Sequence, residues 1–443
     1  MVSIGLCAAL SARGLAVQPF KKGPDYIDPM WLGLASGHPC RNLDPYMMEN
    51  DDIVATFMRH QSQVNLVEGN KGLYDGLALD GSNSNAALAK LLDLPVMLVI
   101  DARGMTRGIA PLILGYQAFD HDINIAGVIL NNLGGSRHEA KLRAVIEHYT
   151  DVKVIGAIHH DERLSIEERH LGLMPSNESH VAAAKIKQIG VAIAEQVNLD
   201  TLLALSQKTA LSVPYKARIS PLPGEVKVRI AIARDRAFGF YYADDLDALV
   251  EAGAELVSFD ALQDEKLPQV DGIFIGGGFP ETCAVELEAN TSLRADIKSA
   301  IENGMPAYAE CGGLMYLARS IGYQGRTFQM VGAIPGDVIM HDKPIGRGYV
   351  QLKEQDSHPW PRSNITSRLI KAHEFHYSSL ENLPENSRFA YHVDRGYGID
   401  GKRDGLMLHN LLASYTHLRS IGNCSWASRF VEFIKSKQAL KPN

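Results

Sequence analysis

The sequence predicts two α/β domains, each built on a largely parallel sheet. Short apolar runs alternate with amphipathic segments through both halves, the pattern of strands covered by crossover helices. At 443 residues the chain exceeds one ordinary domain. Between the halves, "LSVPYKARISPLPGEVK" carries three prolines and no periodicity, which suits a linker. The expected division is 1–207, a linker over 208–226, and 227–443.

The elements follow in order. In the opening "VSIGLCAALSA", the apolar positions Ile4, Leu6, Ala9 and Leu10 predict a helix that Gly14 ends. "LAVQPF" predicts a strand. "NLVEG", "PVMLVID", "NIAGVILNN" and "VKVIGAI" each read as a strand buried on both faces, as inside a parallel sheet with helices on either side. Helical patterns at 108–119 and 138–149 separate some of them, and a helical stretch at about 179–207 closes this half. A second series starts at "VRIAIARD". It continues through "DALVEAG", "AELVSF", "GIFIGGG", "RADIKSAIENG" and "PAYAECGGLMYLARSI". From about residue 327 shorter strands with turns take over.

Composition narrows the function. Hydrophobic residues make up 46% and charged residues 21%, as in ordinary globular proteins. A net charge of −7 gives no reason to expect nucleic acid or an anionic membrane as partner. No apolar run approaches the roughly 20 residues of a membrane span. No basic segment before an apolar core marks a signal peptide. The five cysteines are widely spaced and form no CxxC pair. That argues against a disulfide framework or zinc site and for a reducing cytoplasm.

"MPAYAECGGLMYLA" carries the strongest chemistry. A strand ends at Cys311, two glycines allow a sharp turn, and a helix begins. The helix N-terminus favours a thiolate, and its free N–H groups suit a developing oxyanion. The plain alternative is a small buried cysteine before a Gly-Gly turn. The Gly-rich turn of "GIFIGGGFPE" offers further amides. A base is also needed. His373 and His376 in "KAHEFHYSS", and His409 and His417 in "HNLLASYTHLRS", are the candidates among 16 histidines. In the first half, "FKKGPDYIDP" gathers two lysines and two aspartates, types that suit phosphate and Mg²⁺ or a polar substrate group. "VEGNKGLYDG" puts Glu68 at a strand end and Asp75 in a glycine-bracketed loop, where nucleotide sites of parallel sheets form. A solvated charged loop is the alternative reading of both.

The ordered set "GGGFPE", "AECGGLMYL", "GRGYVQL", "HEFHYSSL" and "ASYTHL" resembles the glutaminase domain of cobyrinic acid a,c-diamide synthases, over most of residues 228–430. These are class I glutamine amidotransferases with a flavodoxin-like domain. The resemblance implies Cys311 as nucleophile, His417 as general base, and Gly277 and Gly312 as oxyanion donors. Two residues beyond the base the family commonly has histidine. Here that position is Arg419, and no carboxylate stands there, so the group that orients the imidazole stays open.

"QPFKKGPDYIDP", "NLDPYMM", "VEGNKGLYDG", "LVIDARGM", "AGVILNN" and "ERHLGLMP" resemble the ATP-dependent synthetase domain of the same enzymes, from residue 2 to about 205. That domain is P-loop NTPase-like, of the dethiobiotin-synthetase type. In it ATP phosphorylates a carboxylate and ammonia displaces the phosphate. Carried over by position, Glu68 would hold Mg²⁺ and Asp75 would serve the phosphorylation and amidation centre. Asp25, Tyr26 and Asp28 would govern substrate orientation, Lys21 would meet phosphate, and Asn131 would approach the adenine. The resemblance therefore implies ATP and Mg²⁺, with glutamine and a corrinoid tetrapyrrole as partners. The expected reaction amidates the a and c acetates of cobyrinate, with hydrogenobyrinate and nickel-sirohydrochlorin as alternatives. Another amidotransferase substrate, such as cobyric acid or a cell-wall lipid, is a second reading. A non-enzymatic, ParA-like binding protein is a third, against which the Cys311 turn counts. A homodimer is one expected assembly, which composition does not fix.

In that family "VSIGLCAALSARG" follows a strand and a phosphate loop ending in GK[ST]. No G-x-x-x-x-G-K-[ST] occurs here, and the resemblance places Met1 about one residue past it. The expectation is a first domain without the loop and the first strand. A start assigned too far downstream, a shortened gene or an ATP-independent function would each explain it. Such a domain is expected to bind ATP poorly and to be destabilised by exposed strand edges.

Overall fold

The computed structural model describes residues 1–169, 172–177, 181–206, 227–362, 369–422 and 424–439. The expected linker, 208–226, lies outside them. The chain divides into two compact units, Met1–Pro45 with Glu49–Ala217, and Tyr46–Met48 with Arg218–Asn443. No described helix is long and apolar enough to cross a membrane, and all five cysteines are free thiols.

The first unit begins with α1 (Val2–Ala12), β1 (Val17–Lys22), α2 (Ile27–Ser36), β2 (Arg41–Leu43), α3 (Asn50–Arg59) and β3 (Val64–Glu68). Then come α4 (Asn85–Leu91), β4 (Val96–Asp101), α5 (Ile109–Phe119), β5 (Ile125–Leu133), α6 (Ser136–Tyr149) and β6 (Lys153–His159). A short hairpin of β7 (Glu168–Arg169) and β8 (Gly172–Leu173) precedes α7 (Ala182–Gln196) and α8 (Leu199–Ser206). The single helical stretch expected at 179–207 is therefore two helices, because Val197 leaves the helical conformation. Helix α1 buries Ile4, Leu6, Ala9 and Leu10, as its spacing predicts, and packs on α7.

The strands of this unit do not form one sheet. They form two parallel sheets of three, in the orders β2-β1-β3 and β4-β5-β6. This corrects the reading of β3 and β4 as strands buried on both faces. Every residue of β3 is only half-buried, and in β4 Val99 is 44% exposed. Their Val- and Leu-rich sequences are those of interior strands, but each lies at the edge of its own sheet. The central β5 keeps Val128, Ile129 and Leu130 fully buried.

The second unit carries β9 (Val228–Ala233), β10 (Phe238–Phe240), α9 (Ala243–Glu251), β11 (Ala254–Phe259), β12 (Gly272–Ile275) and β13 (Gly277–Gly278). It continues with α10 (Ala284–Ala289), α11 (Thr291–Glu302), β14 (Ala307–Glu310), α12 (Gly312–Leu317), β15 (Ala318–Tyr323), β16 (Arg326–Gln329) and β17 (Ile334–Met340). The remainder is β18 (Gly346–Glu354), β19 (Leu369–His376), β20 (Ser378–Glu381), β21 (Arg388–Arg395), β22 (Arg403–Leu408), β23 (Leu411–Ser414) and α13 (Trp426–Gln438).

One nine-stranded sheet, β11-β9-β12-β14-β23-β22-β21-β18-β19, spans this unit. Its first five strands are parallel and the rest antiparallel. Strands β12, β14 and β23 are buried at every residue, so their C-terminal ends form a rigid platform. A smaller sheet, β16-β15-β17-β20, accounts for several of the short strands expected after residue 327.

Candidate active sites

The second unit assembles its site at the C-terminal ends of three adjacent parallel strands. Chain reversals at such an edge leave backbone groups and side chains free to face a ligand. Cys311 follows β14 directly, His417 lies three residues beyond β23, and Gly276 to Gly278 follow β12. The Cys311 amide donates to the Ser414 carbonyl at 2.7 Å, extending the β14–β23 pairing to Cys311.

Cys311 adopts φ 47° and ψ −103°, a conformation that costs a non-glycine residue of order 1–3 kcal/mol. The surroundings hold it there. A Cβ on Gly313 would lie 2.1 Å from the Ile275 carbonyl oxygen, and one on Gly312 would lie 2.8 Å from that of Gly278. Only bare backbone lets α12 start so close to the β12 turn. Gly277 sits as closely against His417, since a Cβ there would meet its Cε1 at 2.7 Å.

His417 is buried and hydrogen-bonds the Cys311 sulfur. Its Nδ1 lies 3.3 Å from Oε2 of Glu310, which leaves Nε2 for the thiol. Burial pulls this imidazolium down. The hydrogen bonds to Cys311 and Glu310 and their charges outweigh burial and raise it to about 10. The imidazole beside the sulfur is thereby biased toward its protonated form.

Glu310 was not singled out among the candidate residues. It is the residue before Cys311 in "AECGG", whereas the family's motif points to a position downstream of the histidine. A buried acid at the end of an apolar strand was the available signal.

The other histidine candidates have different work. His373 pairs with His417 through the backbone, N–H to carbonyl in both directions. Desolvation, then the neighbouring His417, hold its imidazole down to about 3. His376 donates from Nδ1 to the Ser378 carbonyl at 2.8 Å and stacks on Tyr415. Between them Glu374 accepts the Tyr397 and Gly398 amides at 2.6 and 2.8 Å. "HEFHYSS" and "GYG" thus interlock around the site's flank. His409 is exposed in the tight turn joining β22 and β23, at φ 52°. Arg419, two residues past His417, donates to Asp244 at 2.8 Å and lies over the Tyr242 ring.

In the first unit, Lys21, Asp25, Asp28 and Glu68 come together. Parallel pairing of β1 with β3 sets Lys21 opposite Glu68, and α2 brings Asp28. The buried Lys21 ammonium lies 2.5 Å from Asp28, 3.0 Å from Glu68 and 3.9 Å from Asp25. Burial lowers the lysine pKa, and the Glu68, Asp28 and Asp25 charges more than reverse it. Asp25 caps α2 by accepting the Ile27 and Asp28 amides. Burial, then Asp28, push its carboxyl up to about 6. Tyr26 is the buried residue before α2. Asp75 is exposed and accepts the Gly72 amide at 3.0 Å. Asn131 stands at the end of β5 in the other sheet, with a buried Oδ1 that meets no donor. Among the described residues no hydrogen bond or ion pair joins Asp75 or Asn131 to the Lys21 cluster.

The described residues fit a nucleotide and a divalent cation in kind. The orphaned Asn131 oxygen can accept from an adenine amine. Glu68, Asp25 and Asp28 supply the hard oxygen donors that Mg²⁺ takes, here around a single ammonium.

Comparison with known proteins agrees with this layout. Residues 229–422 match the CobB/CobQ-like glutamine amidotransferase domain, and residues 24–168 match an AAA domain. A cobyrinate a,c-diamide synthase of Magnetococcus marinus is 44% identical, covering 98% of this chain and 94% of the relative. The chain belongs to the cobyrinate a,c-diamide synthase family. A member from Methanosarcina barkeri is 41% identical over 98% of this chain and 93% of its own length. One from Archaeoglobus fulgidus is 38% identical over 99% and 95%. Family membership makes the chain an amide-forming ligase that draws nitrogen from glutamine and uses ATP. It removes the ParA-like reading.

Proposed function

We propose that this chain converts cobyrinate to its a,c-diamide, with glutamine as nitrogen donor and ATP as activator. The observation that carries the reading is the Cys311–His417 pair beside Gly277 and Gly312, in a chain of this family along nearly its whole length.

The sulfur of Cys311 attacks the side-chain carbonyl carbon of glutamine. The oxyanion forms against backbone N–H groups at Gly277 and Gly312. His417 gives its proton to the departing nitrogen, and ammonia leaves a thioester. His417 then takes a proton from water as that water attacks, and glutamate departs. In the first unit the substrate carboxylate becomes an acyl phosphate at the expense of ATP. Ammonia adds to the acyl carbon and phosphate leaves, forming the amide. Two rounds amidate the a and c acetates. Asp25, Tyr26 and Asp28 orient the macrocycle, Asp75 serves the acyl-transfer centre, Lys21 meets phosphate and Asn131 approaches the adenine. Glu68, with the carboxylates beside it, would hold Mg²⁺, which would neutralise phosphate charge.

The test supplies cobyrinate, glutamine and Mg·ATP and follows products by mass. The expected result is a gain of two amides per corrinoid, at a high KM for ATP because no G-x-x-x-x-G-K-[ST] phosphate loop occurs in the sequence. Cys311→Ala should stop synthesis from glutamine and leave synthesis from ammonium salts. Faster turnover of hydrogenobyrinate or nickel-sirohydrochlorin would overturn the substrate. Glutamine hydrolysis that survives Cys311→Ala would overturn the mechanism.

A further inference from the structure

We infer that Glu310, braced by Tyr308, is the carboxylate that orients the catalytic imidazole, in place of a group two residues beyond the base. The inference rests on the glutaminase reading above and adds two positioning residues to it.

Tyr308 and Glu310 are two apart on β14 and so point to the same face of the sheet. On that face the tyrosine ring is packed among Phe274, Trp360 and Trp426 and cannot swing away. Its hydroxyl donates to Oε1 of Glu310 at 2.5 Å. The Leu418 amide, next to the base in sequence, donates to the same oxygen at 2.9 Å. Both donors converge on Oε1, so Oε2 is turned to His417 Nδ1 at 3.3 Å. A carboxylate held in this way keeps a proton on Nδ1. That leaves Nε2 free to exchange its proton with sulfur, amide nitrogen and water.

The neighbours exclude other candidates. Arg419 occupies the position two beyond His417, and its guanidinium turns to Asp244. Asp245 accepts the Ser420 amide and the Trp426 indole N–H. Cys311 and Glu310 are the side chains whose hydrogen bonds and charges raise the His417 imidazole, and His373 beside it is held neutral by burial.

The experiment compares Glu310→Gln, Glu310→Asp and Tyr308→Phe in the full chain. Gln keeps an oxygen for the Leu418 amide but turns an N–H donor toward Nδ1. The imidazole then takes the other tautomer, with its proton on Nε2. Glutaminase kcat is expected to fall roughly a hundredfold or more with KM within about threefold. Site-resolved alkylation of Cys311 by iodoacetamide, read across pH, should lose its acid-side reactivity in Glu310→Gln. Glu310→Asp should recover part of both. Tyr308→Phe should lose roughly fivefold to tenfold in kcat, since one of two bracing donors goes.

Circular dichroism and thermal melting establish that each variant folds. A folded Glu310→Gln that retains wild-type kcat and alkylation profile overturns the inference while leaving the glutaminase reading intact. A wild-type chain that releases no ammonia from glutamine overturns the reading itself. Alkylation still reports on the Glu310–His417–Cys311 coupling in that case. If Glu310→Gln does not fold, Glu310→Asp and Tyr308→Phe decide: unchanged kcat and alkylation in both overturn the inference.

Discussion

The two units use the same βα vocabulary and reach different results. In the second, β12, β14 and β23 lie side by side and buried, and Gly277, Cys311 and His417 stand past their ends. In the first, six strands of similar character split into two sheets, and the edge strands β3 and β4 are partly open to solvent. Apolar strand sequence alone therefore does not make a platform. A strand becomes rigid when neighbours pair with both of its edges and helices cover both of its faces. The conformation at Cys311 requires that rigidity, because a strained φ persists only where the surroundings over-determine it.

The largest expected effect attacks the better-built unit. Gly313→Ala drives a methyl group into the Ile275 carbonyl. It should cost about 3 kcal/mol or more and abolish ammonia release, read by chemical denaturation and a glutaminase assay. Retained activity would show that the α12 start is not the constraint described here. Next, hydrogen exchange should separate the units directly. Amides of β3 and β4 are expected to exchange roughly a hundredfold faster than those of β12 and β14. Equal protection would remove the contrast.

Lys21→Met sharpens the comparison within the first unit. It leaves Asp28 and Glu68 without their shared cation, and those carboxylates are 28% and 20% exposed. After discounting for solvent, a loss of about 2 kcal/mol is expected, read by denaturation of that unit.

The smallest effect is a pH dependence in the second unit. His358 accepts the Trp360 amide at Nδ1 and contacts the Tyr391 hydroxyl through Nε2. Burial lowers it to about 4, with Arg429 adding to the shift against Glu354. Between about pH 6.5 and 4 the unfolded chain binds this proton and the folded chain does not. Its contribution is therefore present above 6.5 and is lost as the solution is acidified through that window. His358→Gln should flatten the acid loss by about 1 kcal/mol. Emission from Trp360 and Trp426, in the same core, reports it.

Much of this was legible in the residues. The helix at 2–12, the strands around "VRIAIA" and "GIFI", and the Cys311 turn rest on contacts a few residues apart. Periodicity and glycine placement express such contacts directly. The role proposed for His417 rests on a family's ordered motifs and not on spacing, since 16 histidines offer no local reason to prefer one. His373, His376 and His409 look alike in one dimension. They separate only when β19 reaches His417, Tyr415 stacks on a ring, and β22 turns into β23.

What tertiary structure alone decided are the pairings between distant strands. Glu310 meets His417 because β14 lies next to β23, about a hundred residues on, and nothing in "AECGG" states that order. Lys21 meets Glu68 because β1 pairs with β3. Local propensity writes the elements. Which element lies beside which is settled by the burial available to the whole chain, and that sum is not written at any one position.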